Sequence, residues 1–460
     1  MTLIKSISGI RGTIGGVPGD GLSPIDIVKF CSAYAHLIKQ KYNKKTVDIV
    51  IGRDARISGE MVNNIVSGTL MSMGCKVLDV GLSSTPTVEM EVVAQNADGG
   101  IIITASHNPK QWNALKLLNG KGEFLSAKEG EEILEIAENQ AYEYSEVTEI
   151  GTYTEVEGAF ERHIEKILAL PLVDVELIKQ AKFSVIFDAV NSTGGLALPL
   201  LLKALGVDEI HPLYDTPNGE FPHNPEPLPE HLTEISSKIV KLKADVGFVV
   251  DPDVDRLAIV MEDGNMFGEE YTLVAVADYI LKNGGGNTVS NLSSTGALRD
   301  ITEDAGYEYK ASAVGEVNVV EMMKDTNAVI GGEGNGGIIY PELHYGRDAL
   351  VGIALFLTHL AKEKSTCSQL RAKYPNYVIS KNKIELNADT NIDKILKSVK
   401  EKYSQNPINE IDGLKIEFGK DWVHLRKSNT EPIIRIYSES TSAEKANDLA
   451  LKIMDDIKNI

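Results

Sequence analysis

The sequence predicts an α/β protein of several domains, and three observations lead to that prediction. Runs rich in β-branched residues alternate with amphipathic runs from about Lys5 to Leu370, which is the pattern of layered α/β folds. After Thr366 the pattern changes to short strand-like runs and charged helical runs, which indicates a small α+β module. The length of 460 residues suits about three domains of roughly 150 residues, with two to four plausible.

The alternating part divides into three successive units. In the first, residues 46–54 have the composition of a strand, and residues 58–74 show apolar residues at helical spacing before a glycine stop. The second unit begins near Gly158 and contains a strand-like run at residues 182–190. The third unit begins with an amphipathic run that three glycines close at residues 284–286. We therefore expect three α/β units followed by the α+β module.

Charge and cysteine content exclude several classes of protein. The 46 basic and 66 acidic side chains give a net charge of −20, which has the wrong sign for a general nucleic-acid binder. No apolar run approaches the roughly 18 residues that a membrane span needs. Cys31, Cys75 and Cys367 lie far apart with no CxxC pair, which argues against a disulfide framework or a thiolate metal site. We expect a cytoplasmic protein without a membrane or nucleic-acid partner, in which local cationic loops would have to capture any anionic substrate.

The first candidate loop is Thr104–Pro109, with the sequence TASHNP, after the strand-like run GGIII. Its Ser, Asn and Pro residues favour a tight turn. A serine at the carboxyl end of a parallel strand stands where α/β proteins place reactive groups, although an ordinary hydrogen-bonded turn is the alternative. The loop lacks the GxSxG pattern, which disfavours acyl-enzyme chemistry.

The second candidate loop is Asp251–Arg256, with the sequence DPDVDR, after the apolar run VGFVV. Three carboxylates at alternate positions repel one another unless a cation or Arg256 neutralises them. Oxygen ligands without His or Cys favour a hard ion, and Mg²⁺ is favoured where phosphate completes the shell. An EF-hand is excluded because Arg256 occupies the sixth position, where glycine is required. A solvated acidic turn is the alternative.

The third candidate loop is Gly332–Gly337, with the sequence GEGNGG. It matches GxGxxG formally, but Ile-Ile-Tyr-Pro follows and cannot open the helix that a dinucleotide site requires. A carboxylate and a carboxamide on a glycine-rich loop suit paired sugar hydroxyls better, and a plain glycine-rich turn is the alternative.

The fourth candidate loop is Arg426–Pro432, with the sequence RKSNTEP, followed shortly by Arg435. Cations, hydroxyls and turn amides together form a phosphate cradle, while an ordinary polar hairpin is the alternative. The chain has no GxxxxGK[ST] motif, which excludes a P-loop NTPase.

Taken together and in this order, TASHNP, DPDVDR, GEGNGG and RKSNTEP closely resemble the motifs of the α-D-phosphohexomutase family. That family includes phosphoglucomutase, phosphomannomutase and phosphoglucosamine mutase, and the resemblance spans the whole chain. It implies four domains around a central cleft, three similar α/β domains and a small C-terminal α+β domain. On this basis we expect the domains to cover residues 1–152, 153–258, 259–370 and 371–460.

The resemblance also implies roles for residues of each loop. Ser106 would carry the phosphoryl group and, with Asp251, Asp253 and Asp255, bind Mg²⁺. Lys116 would accept a proton and Arg11 would stabilise charge near the transferring group, and His107, beside Ser106, is included in the catalytic set. The remaining candidates would bind substrate: Glu333 and Asn335 at the sugar hydroxyls, Arg426, Ser428, Asn429 and Thr430 at the phosphate that is not reacting, and Arg256 and Arg435 with them.

Three positions depart from common family patterns. Gly337 stands where many relatives have His, so general-acid roles that rest on that His do not carry over. Asn335 replaces a common Ser, and Pro252 replaces a common Gly. These variants look most like phosphoglucosamine mutases of the archaeal-like branch. Arg53, Arg56 and other isolated polar residues are expected to be structural or on the surface.

The implied reaction moves a phosphoryl group between the 6- and 1-positions of a hexose phosphate. It proceeds through phosphoserine and a hexose 1,6-bisphosphate, which would also serve as activator. Glucosamine phosphate is the expected substrate, because Glu333 can pair with a 2-ammonium group, and phosphomannomutase or phosphoglucomutase activity is the alternative. A phosphatase and an inactive sugar-phosphate sensor are further alternatives. We expect a monomer or a homodimer.

Overall fold

The computed structural model describes residues 2–6, 9–385, 391–427 and 433–459. The predicted class is confirmed: three α/β layers precede a C-terminal antiparallel sheet with helices. Contacts along the chain divide it into two compact units, one formed by Met1–Thr272 with Asn335–Ser368 and the other by Leu273–Gly334 with Gln369–Ile460.

The first sheet has seven strands in the order β1-β2-β6-β5-β3-β4-β7. Its parallel centre is built from strands with continuous apolar runs, and all five residues of β5 are buried. Strand β7 pairs with β4, so the sheet extends beyond the expected domain boundary at residue 152. The elements are β1 Ile4–Ser6, β2 Gly9–Thr13, α1 Pro24–Tyr42, β3 Asp48–Arg53, α2 Gly59–Ser72, β4 Lys76–Leu82, α3 Thr85–Ala94, β5 Gly99–Ile103, β6 Trp112–Asn119, α4 Ala127–Asn139, a 3₁₀ turn Val147–Glu149 and β7 Tyr153–Glu155.

The second sheet has the order β11-β10-β8-β9. Strands β10 and β11 pair antiparallel across the acidic loop, so the expected boundary at residue 258 falls inside β11. The pairing keeps both strands in one sheet and closes the acidic loop into a tight turn. The elements are α5 Ala159–Leu168, α6 Val175–Ala181, β8 Ser184–Asp188, α7 Gly194–Ala204, β9 Glu209–Leu213, a 3₁₀ turn Pro229–His231, α8 Thr233–Leu242, β10 Val246–Val250 and β11 Leu257–Met261.

The third layer is centred on β12, which pairs in parallel with β13 and β14. The almost wholly apolar helix α12 is buried over thirteen consecutive residues and belongs to the first compact unit. The elements are α9 Glu269–Asn283, β12 Thr288–Asn291, α10 Gly296–Asp304, β13 Tyr309–Ser312, α11 Glu316–Thr326, β14 Ile330–Glu333, β15 Gly337–Ile339, α12 Ala349–Glu363 and α13 Cys367–Arg371.

The C-terminal layer is a fully antiparallel sheet in the order β16-β20-β19-β18-β17. One face of this sheet packs on α14 and α15 through a separate apolar core that includes Val399, Ile436 and Ile453. The elements are β16 Val378–Glu385, α14 Ile392–Lys402, β17 Ile408–Asn409, β18 Leu414–Phe418, β19 Asp421–Lys427, β20 Ile433–Ser440 and α15 Ala443–Lys458. Within the four described ranges, every helix is too short or too polar to cross a membrane.

Candidate active site

The turn that holds Ser106 follows the buried strand β5. Ser106 has a φ of 50°, a left-handed conformation that is uncommon outside glycine and indicates a constrained turn. Its backbone N–H donates to Thr104 Oγ1 at 2.9 Å, and its Oγ donates to Asp251 Oδ2 at 2.7 Å. The serine hydroxyl therefore points at the first carboxylate of the acidic loop, which lies at the end of β10.

Arg56 holds the backbone of the serine turn. Its guanidinium is fully buried and donates to the carbonyl oxygens of Ser106, Asn108, Pro109 and Trp112. Its Nε donates to Asp54 Oδ2 at 3.0 Å, which balances the buried charge. A single side chain thus holds the backbone of the turn through its carbonyl groups, while the serine hydroxyl faces the acidic loop.

The acidic loop is a strained and heavily supported turn. Val254 has a φ of 61°, which is rare for a β-branched residue and costs on the order of 1–3 kcal/mol. The carbonyl oxygen of Pro252 accepts hydrogen bonds from Ser192 Oγ at 2.7 Å and Thr193 Oγ1 at 2.9 Å. Such strain persists only where the surrounding structure imposes it, and it is typical of functional loops.

The three aspartates of this loop converge at one point. Asp251, Asp253 and Asp255 are all fully buried, and each offers a carboxylate oxygen within 4.8 Å of the others. The Oδ1 atom of Asp251 accepts from the backbone N–H groups of Asp255 and Arg256 at 3.2 and 3.1 Å. These bonds orient the first carboxylate, so that its other oxygen meets the serine.

Among the described residues, hydrogen-bond donors contact only one oxygen of each of the other two carboxylates. Asp253 Oδ2 accepts from Thr85 Oγ1 at 2.6 Å and Lys116 Nζ at 2.7 Å, and Asp255 Oδ2 accepts from Arg347 Nη2 at 2.8 Å. The Oδ1 atoms of both are buried and have no hydrogen-bond partner among the described residues. Buried oxygens without partners, next to a serine hydroxyl, fit the oxygen shell of a divalent cation such as Mg²⁺.

The pKa shifts in the cluster follow from burial and from this proximity. Burial, followed by the charges of Asp255 and Asp253, raises the pKa of Asp251 well above its ordinary value. Burial also raises the pKa of Asp253, but Lys116 outweighs that effect and holds it below the ordinary value. Three buried carboxylates thus lie beside one ammonium group, of Lys116, and one guanidinium group, of Arg347. An added cation would relieve the repulsion that remains between the carboxylates.

Lys116 lies between Asp253 and Asp255, at 2.7 and 3.2 Å from their Oδ2 atoms. Burial lowers the pKa of Lys116, but the two carboxylates outweigh it and raise the pKa above its ordinary value. In this arrangement Lys116 is an ammonium ion. The role of proton acceptor that the sequence predicts for it therefore requires that it first lose a proton.

The structure brings three further predicted residues to the serine turn and the acidic loop. His107 Nδ1 lies 3.3 Å from Ser106 Oγ, and burial, followed by the charge of Arg256, lowers the pKa of its imidazole well below the ordinary value. Arg11 Nη1 donates to Asn108 Oδ1 at 3.4 Å. Arg256 has a buried Nε that lacks a hydrogen-bond partner in the described part of the chain. Of these three residues, the two arginines bring positive charge to the serine turn and the acidic loop, while the lowered pKa of His107 favours a neutral imidazole.

The predicted sugar-binding residues are anchored by their own surroundings. Glu333 Oε1 accepts from Asn291 Nδ2 at 3.0 Å and from the backbone N–H of Gly315 at 3.2 Å. Asn335 Oδ1 accepts from the N–H of Gly337 at 3.1 Å, which closes a local turn. These two residues lie in different compact units, Glu333 in the second and Asn335 in the first.

The predicted phosphate-binding loop joins β19 and β20. Arg426 and Arg435 lie directly opposite each other on these strands, and Arg426 Nε is 3.4 Å from Asp412 Oδ2. Ser428, Asn429 and Thr430 lie outside the described residues. The described part of this loop therefore presents two guanidinium groups at its base.

Sequence reasoning missed several residues that the structure brings to the site. Thr85, in the first turn of α3, donates a hydrogen bond to Asp253. Ser192 and Thr193 support Pro252 from the turn after β8, which is the neighbour of β10 in the same sheet. Arg347 stands two residues before α12 and contacts Asp255. The polar run HYGRD before an apolar helix was the only sequence signal for Arg347, and it indicates a helix start rather than a site.

Family comparisons cover almost the whole chain. The phosphoglucomutase/phosphomannomutase models match in order: alpha/beta/alpha domain I at residues 3–143, domain II at 161–264, domain III at 268–377 and the C-terminal domain at 381–456. The acidic loop falls in the domain II match, and the serine turn falls in the domain I match.

Individual relatives of the same family also match over most of the chain. The chain is 35% identical to a phosphoglucomutase/phosphomannomutase of Thermococcus kodakarensis, over 97% of this chain and 98% of the relative. It is 31% identical to a phosphoglucosamine/phosphogalactosamine mutase of Sulfurisphaera tokodaii, over 95% of this chain and 96% of the relative. Its fold matches the crystal structure of a phosphoglucomutase/phosphomannomutase family protein from Burkholderia thailandensis with a TM-score of 0.84 and 25% identity, covering 100% and 97% of the two chains.

The agreement of four ordered domain matches with relatives of this identity and coverage shows that the chain belongs to the phosphoglucomutase/phosphomannomutase family, the α-D-phosphohexomutases, and is an isomerase of that family.

Proposed function

We propose that this protein is a phosphoglucosamine mutase that interconverts glucosamine 6-phosphate and glucosamine 1-phosphate through a phosphorylated Ser106. The observation that carries the mutase chemistry is the contact of Ser106 Oγ with Asp251 Oδ2 at 2.7 Å, inside a buried aspartate cluster. A serine that only stabilised its turn would have no reason to face three carboxylates. A serine that carries a phosphoryl group beside a cation site would.

The proposed reaction has two transfers. In the first, the bond between phosphorus and Ser106 Oγ breaks, a bond forms from phosphorus to O1 of glucosamine 6-phosphate, the O1 hydroxyl gives up its proton, and Ser106 Oγ takes one up. In the second, the 1,6-bisphosphate presents its other end, the bond between O6 and phosphorus breaks, O6 takes up a proton, and Ser106 Oγ gives up its proton as it is phosphorylated again. Enzymes achieve such transfers mainly by positioning the reactants and neutralising charge.

Charge neutralisation is the part that this chain's residues supply most visibly. Arg256, whose buried Nε makes no hydrogen bond to the described residues and lies 3.9 Å from Asp255 Oδ1, and Arg11, beside Asn108, are our candidates to contact the oxygens of the moving phosphoryl group. Mg²⁺ held by Asp251, Asp253 and Asp255 would supply electrostatic stabilisation of the phosphoryl oxygens. Lys116 is our candidate for the proton of the sugar hydroxyl, and its neutral form becomes accessible only when the charges of its two aspartate partners are offset.

The hexose 1,6-bisphosphate has a second use in this proposal. If the intermediate leaves before the second transfer, Ser106 remains unphosphorylated and the enzyme is inactive. Added bisphosphate would restore the phosphoserine, and we therefore expect it to act as an activator. We further propose that the enzyme works in the cytoplasm, as a monomer or a homodimer, and the three buried thiols are consistent with a reducing compartment.

The choice of an amino sugar rests on two observations. Glu333 is held at one carboxylate oxygen by Asn291 and Gly315, which presents a fixed anion suited to a 2-ammonium group. Relatives named phosphoglucosamine mutase align with most of the chain at 30 to 31% identity. The second candidate is phosphoglucomutase/phosphomannomutase activity, which the relative at 35% identity favours.

A substrate panel distinguishes the two candidates. We would measure kcat/KM for the 1-phosphates of glucosamine, glucose and mannose side by side, each with its bisphosphate present. The proposal predicts the highest value for glucosamine 1-phosphate. A tenfold or greater preference for glucose or mannose 1-phosphate would replace the proposed substrate with the second candidate.

A charge variant sharpens this test. Glu333→Gln keeps the size of the side chain and one acceptor oxygen for Asn291 and Gly315 but removes the charge, so it should lower kcat/KM for the amino sugar more than for glucose 1-phosphate. The exposed Glu342, changed to Gln, is the matched control and should leave the ratio unchanged. A loss that is equal for both sugars would mean that Glu333 holds hydroxyls and does not select the amine.

The same assays separate the mutase from the remaining alternatives. A phosphatase that used Ser106 would release inorganic phosphate in step with substrate loss, and a sensor would bind sugar phosphate without turnover. The proposal predicts that total organic phosphate stays constant while the 1- and 6-phosphates interconvert.

A further inference from the structure

Residues 336–348 form a short antiparallel hairpin that includes β15. We call this segment the arginine hairpin. Ile339 and Arg347 pair across it, and the N–H of Asp348 donates to the carbonyl oxygen of Ile338 at 2.8 Å. The hairpin ends where α12 begins at Ala349. Its geometry is therefore fixed by backbone bonds and not only by side-chain packing.

Backbone hydrogen bonds connect the start of the hairpin to β11, directly after the acidic loop, and connect the first residue of α12, directly after the hairpin, to the acidic loop itself. The N–H of Leu257 donates to the carbonyl oxygen of Gly336 at 3.0 Å, and the N–H of Ala349 donates to the carbonyl oxygen of Val254 at 3.2 Å. Gly336 has a φ of +82°, and a Cβ there would lie 2.3 Å from the oxygen of Leu257. The close approach of the two backbones thus depends on a glycine.

Arg347 extends from this hairpin to the aspartate cluster. Its Nη2 donates to Asp255 Oδ2 at 2.8 Å, and the residue is buried. Its stem passes over Gly337, where an added Cβ would lie 2.4 Å from Arg347 Cδ. The guanidinium reaches Asp255 by this route only because position 337 carries no side chain.

The base of Arg347 is fixed by a second buried polar group. Asp348 Oδ1 accepts from the N–H of Leu350 at 2.8 Å and caps α12, while Asp348 Oδ2 lies 2.9 Å from His163 Nε2 and 3.4 Å from His344 Nε2. These groups leave the backbone next to Arg347 little freedom. An arginine that is held at its base and along its stem is suited to hold another side chain in place.

We propose that Arg347 is a positioning residue that makes Asp255 a one-oxygen metal ligand. Its Nη2 is the nearer of two donors to Oδ2, at 2.8 Å against 3.2 Å for Lys116 Nζ. Oδ1 has no hydrogen-bond partner among the described residues and is left for the ion. Mg²⁺ requires a compact octahedral shell, whereas Ca²⁺ accepts two-oxygen carboxylates and more ligands. Arg347 therefore sets the preference of the site for Mg²⁺ over Ca²⁺, and the inference rests on the proposed metal site.

The test is the ratio of Ca²⁺ to Mg²⁺ dissociation constants, measured for the whole protein by displacement of Mn²⁺ observed through water-proton relaxation. Arg347→Gln should lower this ratio by about tenfold, at the lower end of the 10- to 100-fold effects typical of outer-sphere partners. Arg256→Gln is the matched control: it removes a cation 3.9 Å from Asp255 without removing the bond to Oδ2, so it should move both affinities alike.

A second variant protects the test against a folding defect in the first. Gly337→Ala keeps the arginine and its charge but pushes the stem away from Asp255, and it should reproduce the change in the ratio. An unchanged ratio in whichever variant folds, or an equal change in Arg256→Gln, would overturn the inference. The wild-type protein should bind Mn²⁺, and Asp253→Asn should abolish that binding. If either result is absent, the proposed metal site is wrong, and the role of Arg347 is wrong with it.

Discussion

The buried guanidinium of Arg56 donates to the backbone carbonyl oxygen of Ser106, fifty residues away along the chain. The same nitrogen donates to the carbonyl oxygen of Asn108 at 2.7 Å, so one side chain joins two carbonyl groups of the serine turn. This contact holds the left-handed backbone of Ser106 without occupying its hydroxyl, which remains directed at Asp251.

We predict that Arg56→Gln destabilises the protein strongly. The change leaves Asp54 as a buried carboxylate without its cation, and breaking such a pair costs about 3–5 kcal/mol. Urea unfolding measures the loss. Arg53→Gln is the matched control, since Arg53 lies in the same segment but is only partly buried, and it should cost much less. Equal losses would mean that the bonds to the serine turn contribute little.

We predict that activity requires Mg²⁺ and that Asp253→Asn raises the required concentration by more than tenfold. The change removes one of three anionic ligands. Loss of a residue that only contacts a ligand typically lowers metal affinity by about 10- to 100-fold, and loss of a ligand itself should lower it at least as much. Mg²⁺ titration of the mutase rate after chelation checks this. The exposed turn residue Asp263, changed to Asn, should behave like wild type. Activity that survives both chelation and Asp253→Asn would show that the carboxylates are structural.

We predict that Arg426→Ala weakens substrate binding more than it slows the chemistry. A charge-assisted bond to phosphate is worth about 1.5–3 kcal/mol, so KM should rise by about one to two decades while Ser106 phosphorylation persists. Lys397→Ala, at an exposed position of the same C-terminal layer, controls for the loss of a positive charge. An unchanged KM would place the loop between β19 and β20 outside the substrate site.

We predict a pH-dependent contribution of His344 to stability. Burial lowers the pKa of His344, but its hydrogen bond to Asp348 and its ion pair with Glu89 outweigh burial and raise the pKa to about 10, from an ordinary 6.5. Because the folded pKa is the higher one, the contribution is complete below pH 6.5 and is lost as the pH rises through about 10.

Urea unfolding of wild type and His344→Asn at several pH values between 6 and 10 should therefore show a stability difference that shrinks as the pH rises, by about 1.4 kcal/mol per pH unit at most. The variant His211→Asn, at a partly exposed position, is the reference for replacing a histidine. A difference that grows with pH would contradict the assigned charge state of His344.

The sequence predicted the fold class, and it singled out the serine turn and the acidic loop as candidates, because both depend on local patterns. Alternating strand and helix runs give the layers, and the serine turn and acidic loop each follow an apolar strand, β5 and β10. Two turns at the carboxyl ends of buried strands are the expected place for reactive groups.

The supporting residues could not be predicted in the same way. Arg56 and Arg347 act through contacts with residues distant in sequence, and neither lies in a pattern that distinguishes it from a surface arginine. Gly337 marked a departure from related sequences, but only the structure shows that the stem of Arg347 occupies the space beside it. Strand β7 likewise pairs with β4, a contact between segments distant in sequence that no local pattern indicates.

The most direct test of the central proposal is the phosphorylation of Ser106. Peptide mass spectrometry of the purified protein, incubated with hexose 1,6-bisphosphate, should find a phosphoryl group on Ser106, and incubation with excess hexose monophosphate should remove it. Ser106→Ala, shown by thermal unfolding to be folded, should lose mutase turnover by orders of magnitude. An unmodified Ser106, together with full turnover in Ser106→Ala, would contradict the phosphoserine mechanism.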